Sequence, residues 1–441
     1  MNLILLSGGS GRRLWPLSND TRSKQFLRLL KNDCGETESM VQRVFRQIQQ
    51  LCPTARITVA TGAAQADAIA GQLGEAVDVA VEPERRDTFP AIVLAAAHLV
   101  LEKGCAETES VAILPVDAYA EQGYFETVDR MVRLADEGAA ELVLMGIEPT
   151  YPSEKYGYIL PADGADPTSV RRFTEKPDEA TAAVYIREGA LWNGGVFACK
   201  LGYLADIARK YIAFDSFAQV RGDYGCLPKI SFDYEVVEKA KSIAVTRYRG
   251  KWKDLGTWNT LTEEMTDAVV GEGVEQNCTN THVVNELDIP VVALGIDDAV
   301  IAVGADGILV SKKDETPGLK PIADRLAGQP RAEEHSWGQR RTVDVSSGAD
   351  GAQSLTQHVL MNADTDMPSH RHQTHDEIWT VTDGRGELTL DGRRIALRRG
   401  VSIRIPHGHS HAVHAFSDLQ LILVRIHTSG SGLVSELLQA F

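Results

Sequence analysis

The chain has 441 residues, 43% hydrophobic and 24% charged, with 45 Lys plus Arg against 61 Asp plus Glu. That apolar content excludes wholesale disorder, and the formal charge of -16 repels a phosphate backbone, so nucleic acid is not an expected partner. No run approaches the length of a membrane-spanning helix, and the six scattered cysteines form no CxxC pair, so we expect a cytoplasmic protein with free thiols and no membrane partner.

Strand-like apolar runs appear at Leu3–Leu6, Ile57–Ala60, Val77–Val81, Val111–Leu114 and Leu142–Gly146. Amphipathic stretches lie between them at Ser39–Gln50, Ala91–Leu101 and Tyr124–Ala135. Strands alternating with helices predict βαβ units and a mostly parallel sheet, with chemistry in the loops beyond the strand ends. The first such loop reads Ser7-Gly8-Gly9-Ser10-Gly11-Arg12-Arg13. A dinucleotide fingerprint needs a third Gly where Leu14 stands, and a Walker loop needs Gly-Lys-Ser/Thr, so neither fits. What remains is a glycine turn that lets backbone N–H groups approach phosphate, with Arg13 as a bidentate clamp and Lys24 as a point charge.

From Val283 to Val310 the helical period disappears and short β runs alternate with Gly and Asp, which predicts a small β segment over 266–311. Residues 312–336 are rich in Lys, Asp, Pro and Gly and read as a linker. Beyond it the composition changes: 10 of the 12 histidines follow position 330, while the last lysine is Lys320. Evenly spaced strands (Leu355–Met361, Glu377–Thr382, Gly386–Leu390, Ile403–Pro406, Leu419–Ile426) predict a small antiparallel barrel or sandwich over 337–441. Within it, His370 and His372 would share one face of a strand, and with Glu377 and His411 they make a metal-type set. His375, His407, His409 and His414 read as rim or surface residues.

These residues carry a resemblance. Leu5-Leu-Ser-Gly-Gly-Ser-Gly-Arg-Arg-Leu-Trp-Pro-Leu-Ser and Ser23-Lys24-Gln25-Phe26-Leu27 resemble the signature of mannose-1-phosphate guanylyltransferases, with Arg12 in place of the usual Thr and Ser23 in place of Pro. Val81-Glu82-Pro83-Glu84-Arg85-Arg86-Asp87-Thr88-Phe89-Pro90-Ala91-Ile92 is similar to the segment near the nucleotide, with Asp87 for Asn. Ile113–Asp117, with Ala118 where a His is common, also resembles a family motif. So do Tyr156–Ile159, Phe173-Thr174-Glu175-Lys176-Pro177, Trp192-Asn193-Gly194-Gly195-Val196-Phe197 and Asp254-Leu255-Gly256-Thr257-Trp258, all in family order. The resemblance implies a Rossmann-like α/β nucleotidyltransferase domain over 1–265, then the β-helix-like segment, the linker and the barrel.

It also implies a reaction: GMP passes from GTP to mannose 1-phosphate, giving GDP-mannose and pyrophosphate. Leu6, Gly8, Gly9, Gly11, Arg13, Glu82, Arg86 and Thr88 would contact the nucleotide. Gly157, Glu175, Lys176 and Asn193 would contact the sugar phosphate. Arg13, Lys24, Asp117 and Asp254 would carry catalysis, the two aspartates as hard oxygen ligands for Mg2+. The histidine set, with Gly384 and Gly400…Pro406-His407-Gly408…His411, resembles the two cupin motifs, which implies a second divalent transition metal. A cupin in this position commonly carries mannose-6-phosphate isomerase activity, but here His370 stands for the usual Gln and His375 for the usual Arg, and the domain has no Lys. The rivals are therefore a bifunctional enzyme and a sugar-nucleotide sensor that binds without turnover. The β segment and the barrel both offer surfaces for a homodimer.

Overall fold

The structure, a computed structural model, describes residues 1–9, 12–162, 164–326, 328, 330–348 and 353–427. Two compact units result: residues 1–10, 24–66 and 75–266 form the first, and 11–23, 67–74 and the chain from 267 onward form the second.

The first unit is built on nine strands: β1 (Asn2–Ser7), β2 (Arg56–Gly62), β3 (Asp78–Glu82), β4 (Ser110–Pro115), β5 (Leu142–Ile147), β6 (Tyr158–Pro161), β7 (Thr168–Thr174), β8 (Leu191–Lys200) and β9 (Ile243–Tyr248). Their order across the sheet is β3-β2-β1-β4-β8-β5-β9-β7-β6. The first four run parallel, as do β5 and β9. The expectation of a mostly parallel sheet is corrected by β8, which is antiparallel to both β4 and β5, and by β6 and β7. A strand covered on both faces is an apolar run whichever way it points, so the periodicity carries no direction.

Helices cover the sheet. α1 (Met40–Leu51) starts at Ser39, which forms a capping box with Gln42, an arrangement that contributes about 1 kcal/mol. α2 (Thr88–Ala97) is buried along its length from Phe89 and is capped by Asp87, whose side chain accepts from Thr88 N. α3 (Gln122–Asp136) buries Tyr124, Phe125, Val128 and Met131. One small feature governs the site. Ala118–Ala120 pairs antiparallel with Trp252–Asp254, and the register Ala118↔Asp254 sets Asp254 beside Asp117.

In the second unit, Val269–Val270, His282–Asn285 and Ala299–Gly304 pair in parallel, and Gly273–Gln276 pairs in parallel with Val291–Leu294. Stacked parallel rungs around Val283, Ala293, Ile301 and Val303 make the β-helix-like coil. Gly271 (φ 85°) turns one rung into the next, where any Cβ would fall on the Asn285 carbonyl. The Trp15 ring lies against Gly307 in the same way, so Trp15 is a packing residue.

The stretch 312–336 is more ordered than a linker. It holds a short 3-10 segment, Lys313–Gly318, a helix, Leu319–Leu326, and β10 (Ala332–His335). Pro321 sits in the first turn of that helix, where proline is tolerated, so the residues that suggested a loop do not break it. The barrel follows with β11 (Gly338–Ser347), β12 (Gln353–Met361), β13 (Thr365–His370), β14 (His375–Asp383), β15 (Arg385–Leu390), β16 (Arg393–Arg398), β17 (Ser402–Ile405), β18 (His411–Ala415) and β19 (Leu419–His427). The two sheets, β10-β11-β12-β19-β14-β17 and β13-β18-β15-β16, close on Val359, Trp379, Leu388, Val413 and Leu421.

Candidate active site and histidine cluster

The glycine loop leaves β1 at Ser7. Gly8 and Gly9 are exposed, nothing lies within 4 Å of a Cβ built on either, and Gly9 has φ 114°. Their missing side chains therefore leave open backbone rather than make room for packing. Buried polar groups fix the loop from below: Thr61 Oγ1 donates to Ser7 O (3.0 Å), Gln65 Nε2 to Gly9 O (2.9 Å) and Gln25 Nε2 to Ser7 Oγ (3.2 Å). Leu6 is half-buried at the end of β1, and Gly11 lies outside the described residues. Arg13 is exposed in the 3-10 turn Arg12–Leu14, which belongs to the second unit. There Arg12, which departs from the family pattern, pairs with Asp20 and Asp324.

At the carboxyl end of β4 the structure brings Lys24, Asp117 and Asp254 together. Lys24 Nζ lies 2.8 Å from Asp117 Oδ2 and 3.4 Å from Asp254 Oδ1. The lysine is mostly buried, while both carboxylates keep more than a third of their surface exposed. Burial disfavours the Lys24 charge, but the two carboxylates outweigh it and raise its pKa. Two hard oxygen donors thus converge on a single cation.

Glu82, Arg86 and Thr88 share one task in the structure. Tyr224 OH donates to Glu82 (2.6 Å), the Arg86 guanidinium donates to Leu227 O (3.0 and 3.2 Å), and Phe232 N donates to Thr88 Oγ1 (2.8 Å). Burial holds the Glu82 carboxyl above its usual range against the Tyr224 hydrogen bond. These side chains tie the segment 224–232 to the stretch 82–88 rather than standing free.

The four sugar-phosphate candidates do come together. Asn193 N donates to Gly157 O at 2.8 Å, and a Cβ on Gly157 would lie 2.5 Å from Glu175 Oε2 and 3.3 Å from Asn193 Cβ. Lys176 Nζ donates to Glu175 Oε1 (2.6 Å). The sequence reading missed Asp233, which accepts from Asn193 Nδ2 at 2.6 Å. Burial, and then the charge of Glu175, push its carboxyl up to about 6.

In the barrel, ligand atoms of His370, His372 and His411 lie within 4.8 Å of one another, as do those of His372, His375 and Glu377. His372 is past the end of β13, so the shared strand face expected for it and His370 is replaced by a turn that still converges their rings. His375 is corrected from rim to core: it is buried, with Nε2 3.5 Å from Glu377 Oε1. His407 and His409 are exposed and His414 is half-buried, and they pair with Asp376, Asp391 and Asp366.

The Glu377 carboxylate is held by buried Arg425 Nε (3.0 Å) on one oxygen and Trp379 Nε1 (2.8 Å) on the other. Burial opposes its charge, yet the surrounding histidines and Arg425 keep its pKa well below the carboxylate range. His370 Nδ1 reaches Pro368 O (2.8 Å) and His411 Nδ1 reaches His409 O (3.2 Å). A carbonyl only accepts, so each Nδ1 carries its proton, and Nε2 is the atom left to serve as a ligand when the ring is neutral. Burial lowers the His370 pKa to about 4, which leaves a neutral ring. The donor set therefore fits a divalent transition metal.

Comparison with known proteins follows the same division. The Nucleotidyl transferase family model matches residues 2–269, and the Cupin domain model matches residues 357–427. The xanthan biosynthesis protein XanB of Xanthomonas campestris pv. campestris (strain B100) is 30% identical over 461 residues, covering 97% of this chain and 95% of that protein. The mannose-1-phosphate guanylyltransferase 2 of Escherichia coli O157:H7 is 27% identical, covering 96% and 94%. A solved structure described as a mannose-1-phosphate geranyltransferase from Thermus thermophilus superposes with TM-score 0.62 at 31% identity, over 74% of this chain and 98% of that one. The chain belongs to the nucleotidyl transferase family and carries a cupin domain after its nucleotidyltransferase domain.

Proposed function

We propose that the protein transfers GMP from GTP to mannose 1-phosphate, making GDP-mannose and pyrophosphate. The observation that carries this reading is the convergence of Asp117 and Asp254 on the single cation Lys24 in a family of nucleotidyl transferases. A phosphate oxygen of the sugar 1-phosphate attacks the α-phosphorus of GTP, and the bond to the β-phosphate oxygen breaks. Two anions must meet, so positioning and charge neutralisation dominate. Asp117 and Asp254 would hold Mg2+, which supplies charge stabilisation on the phosphates. The open backbone of Gly8 and Gly9 admits phosphate oxygens, and Lys24 turns its charge from the carboxylates to the pyrophosphate as it forms. Gly157, Glu175, Lys176 and Asn193 orient the sugar phosphate.

The test is pyrophosphate release over a matrix of four nucleoside triphosphates and several sugar 1-phosphates, with and without Mg2+. Signal confined to GTP with mannose 1-phosphate is expected. A different preferred pair would keep the chemistry and overturn the specificity. GTP binding with no turnover anywhere would favour the sensor.

For the cupin, His370, His372, His411 and Glu377 would hold the divalent metal, with the Nδ1–H bonds orienting two of the rings. The bifunctional alternative makes this metal part of a mannose-6-phosphate isomerase. Production of GDP-mannose from fructose 6-phosphate and GTP through a supplied phosphomutase would establish it, and failure of that coupled reaction with active guanylyltransfer would exclude it.

A further inference from the structure

We propose that Asp233 is a positioning residue of the sugar subsite, locking the Asn193 amide and presenting, with Glu175, a pair of carboxylate acceptors to the hydroxyls of the sugar 1-phosphate. The inference rests on the reading of that substrate given above. Both ends of the Asn193 amide are committed: Nδ2 donates to Asp233 Oδ1 at 2.6 Å and Oδ1 accepts from Gly195 N at 3.1 Å. The amide cannot flip, so its remaining donor and acceptor face a fixed direction. Beside it, Glu175 Oε2 is buried with no hydrogen-bond partner among the described residues, and Gly157 approaches it so closely that a Cβ there would lie 2.5 Å away. A buried carboxylate oxygen without a donor is an unmet demand, and a sugar hydroxyl meets it.

The charge of Asp233 is the telling part. An asparagine at 233 would hold Asn193 equally well, without a second carboxylate near Glu175. Because the folded-state pKa of Asp233 is raised to about 6, its ionisation works against folding, and the chain gives up stability as pH rises through that value. Lys176 offsets part of the repulsion and pairs with Glu175. Hydroxyl protons donated between the two carboxylates would relieve the rest. A site that keeps this repulsion in the empty state fits a ligand-binding role, in which stability is traded for recognition.

The experiment is Asp233→Asn, with KM for the sugar 1-phosphate and for GTP measured separately, together with the melting midpoint at pH 7.5. Loss of one charge-assisted hydrogen bond predicts a rise of about tenfold in KM for the sugar phosphate. KM for GTP should stay within about twofold, since the change removes sugar contacts alone. The melting midpoint should equal or exceed that of the unaltered protein. An unchanged KM for the sugar overturns the proposal. So does a lowered melting midpoint with both KM values shifted together, which would make Asp233 a structural residue. If the unaltered protein prefers another sugar 1-phosphate, the mannose reading fails and the same comparison is made on the preferred sugar. Silence of the unaltered protein with every sugar phosphate would overturn both.

Discussion

Each unit places carboxylate beside a cation, and the two do so with opposite mechanics. In the nucleotidyltransferase unit, Asp117 and Asp254 are half-open to solvent and share Lys24, a flexible ammonium with no fixed hydrogen-bonding plane. In the cupin, Glu377 is fully buried and is gripped by the planar guanidinium of Arg425 and the indole of Trp379. The first arrangement can exchange its cation, because water and incoming ions reach the carboxylates. The second cannot exchange Arg425 without stranding a buried charge. Mobile counter-charge suits a site that must accept and release polyphosphate at every turnover. Fixed counter-charge suits a site that holds its ligands in place.

Substitutions within the two arrangements separate these mechanics. Asp117→Ala should lower pyrophosphate release by about a thousandfold, the scale of lost electrostatic stabilisation at a phosphoryl centre. Activity within a few-fold of the unaltered protein would overturn the metal assignment. Arg425→Met should destabilise the cupin by about 3–5 kcal/mol, read from denaturant unfolding, because the buried Glu377 charge loses its guanidinium counter-charge. The double change with Glu377→Gln should recover most of that loss, and no recovery would break the pairing. Lys24→Met should do the reverse of Arg425→Met, costing about a hundredfold in turnover while stability moves by about 1 kcal/mol or less, as exposed carboxylates are solvated without it. A large stability loss there would erase the contrast.

A pH measurement adds a further carboxylate to the series. Burial opposes the charge of Glu333, yet Arg340 and His335 hold its carboxyl down to about 2. The folded pKa is depressed, so the stability it confers is complete above the unfolded value of about 4.3 and is lost as pH falls toward 2. Glu333→Gln should flatten that acid limb, and an unchanged limb would show that the ion pair is not felt. The smallest effect expected is for Trp379→Phe, which removes one hydrogen bond from Glu377 and should cost about 1 kcal/mol of cupin stability.

Much of this was legible in the residues. The apolar runs located β1 to β5, and the amphipathic stretches marked α1, α2 and α3. The motifs named Lys24, Asp117, Asp254 and the four sugar-phosphate residues, and the structure draws each set together. Side chains that act through tertiary contact left little trace. Thr61 and Gln65 brace the glycine loop from a strand and a helix more than 50 positions away, and nothing near them announces it. His375 reads as a rim residue in the sequence, whereas it opens β14 and is buried. Arg425 did leave a clue: a guanidinium within Leu421-Ile-Leu-Val-Arg-Ile is out of place unless a buried acid waits for it. The order inside 312–336 was hidden because prolines at a helix start look like breakers.

The short ladder between Ala118–Ala120 and Trp252–Asp254 has a consequence for how the protein is made. Lys24 and Asp254 are 230 positions apart, so their meeting is a contact of long sequence separation and forms slowly. The glycine loop and β1 leave the ribosome early, yet the acidic pair does not exist until the chain has grown past Asp254. At about 5–20 residues per second of synthesis, the nascent protein carries the glycine loop without Asp254 for about ten seconds or more. Assembly of this acidic pair is a late event, set by the translation of one three-residue strand.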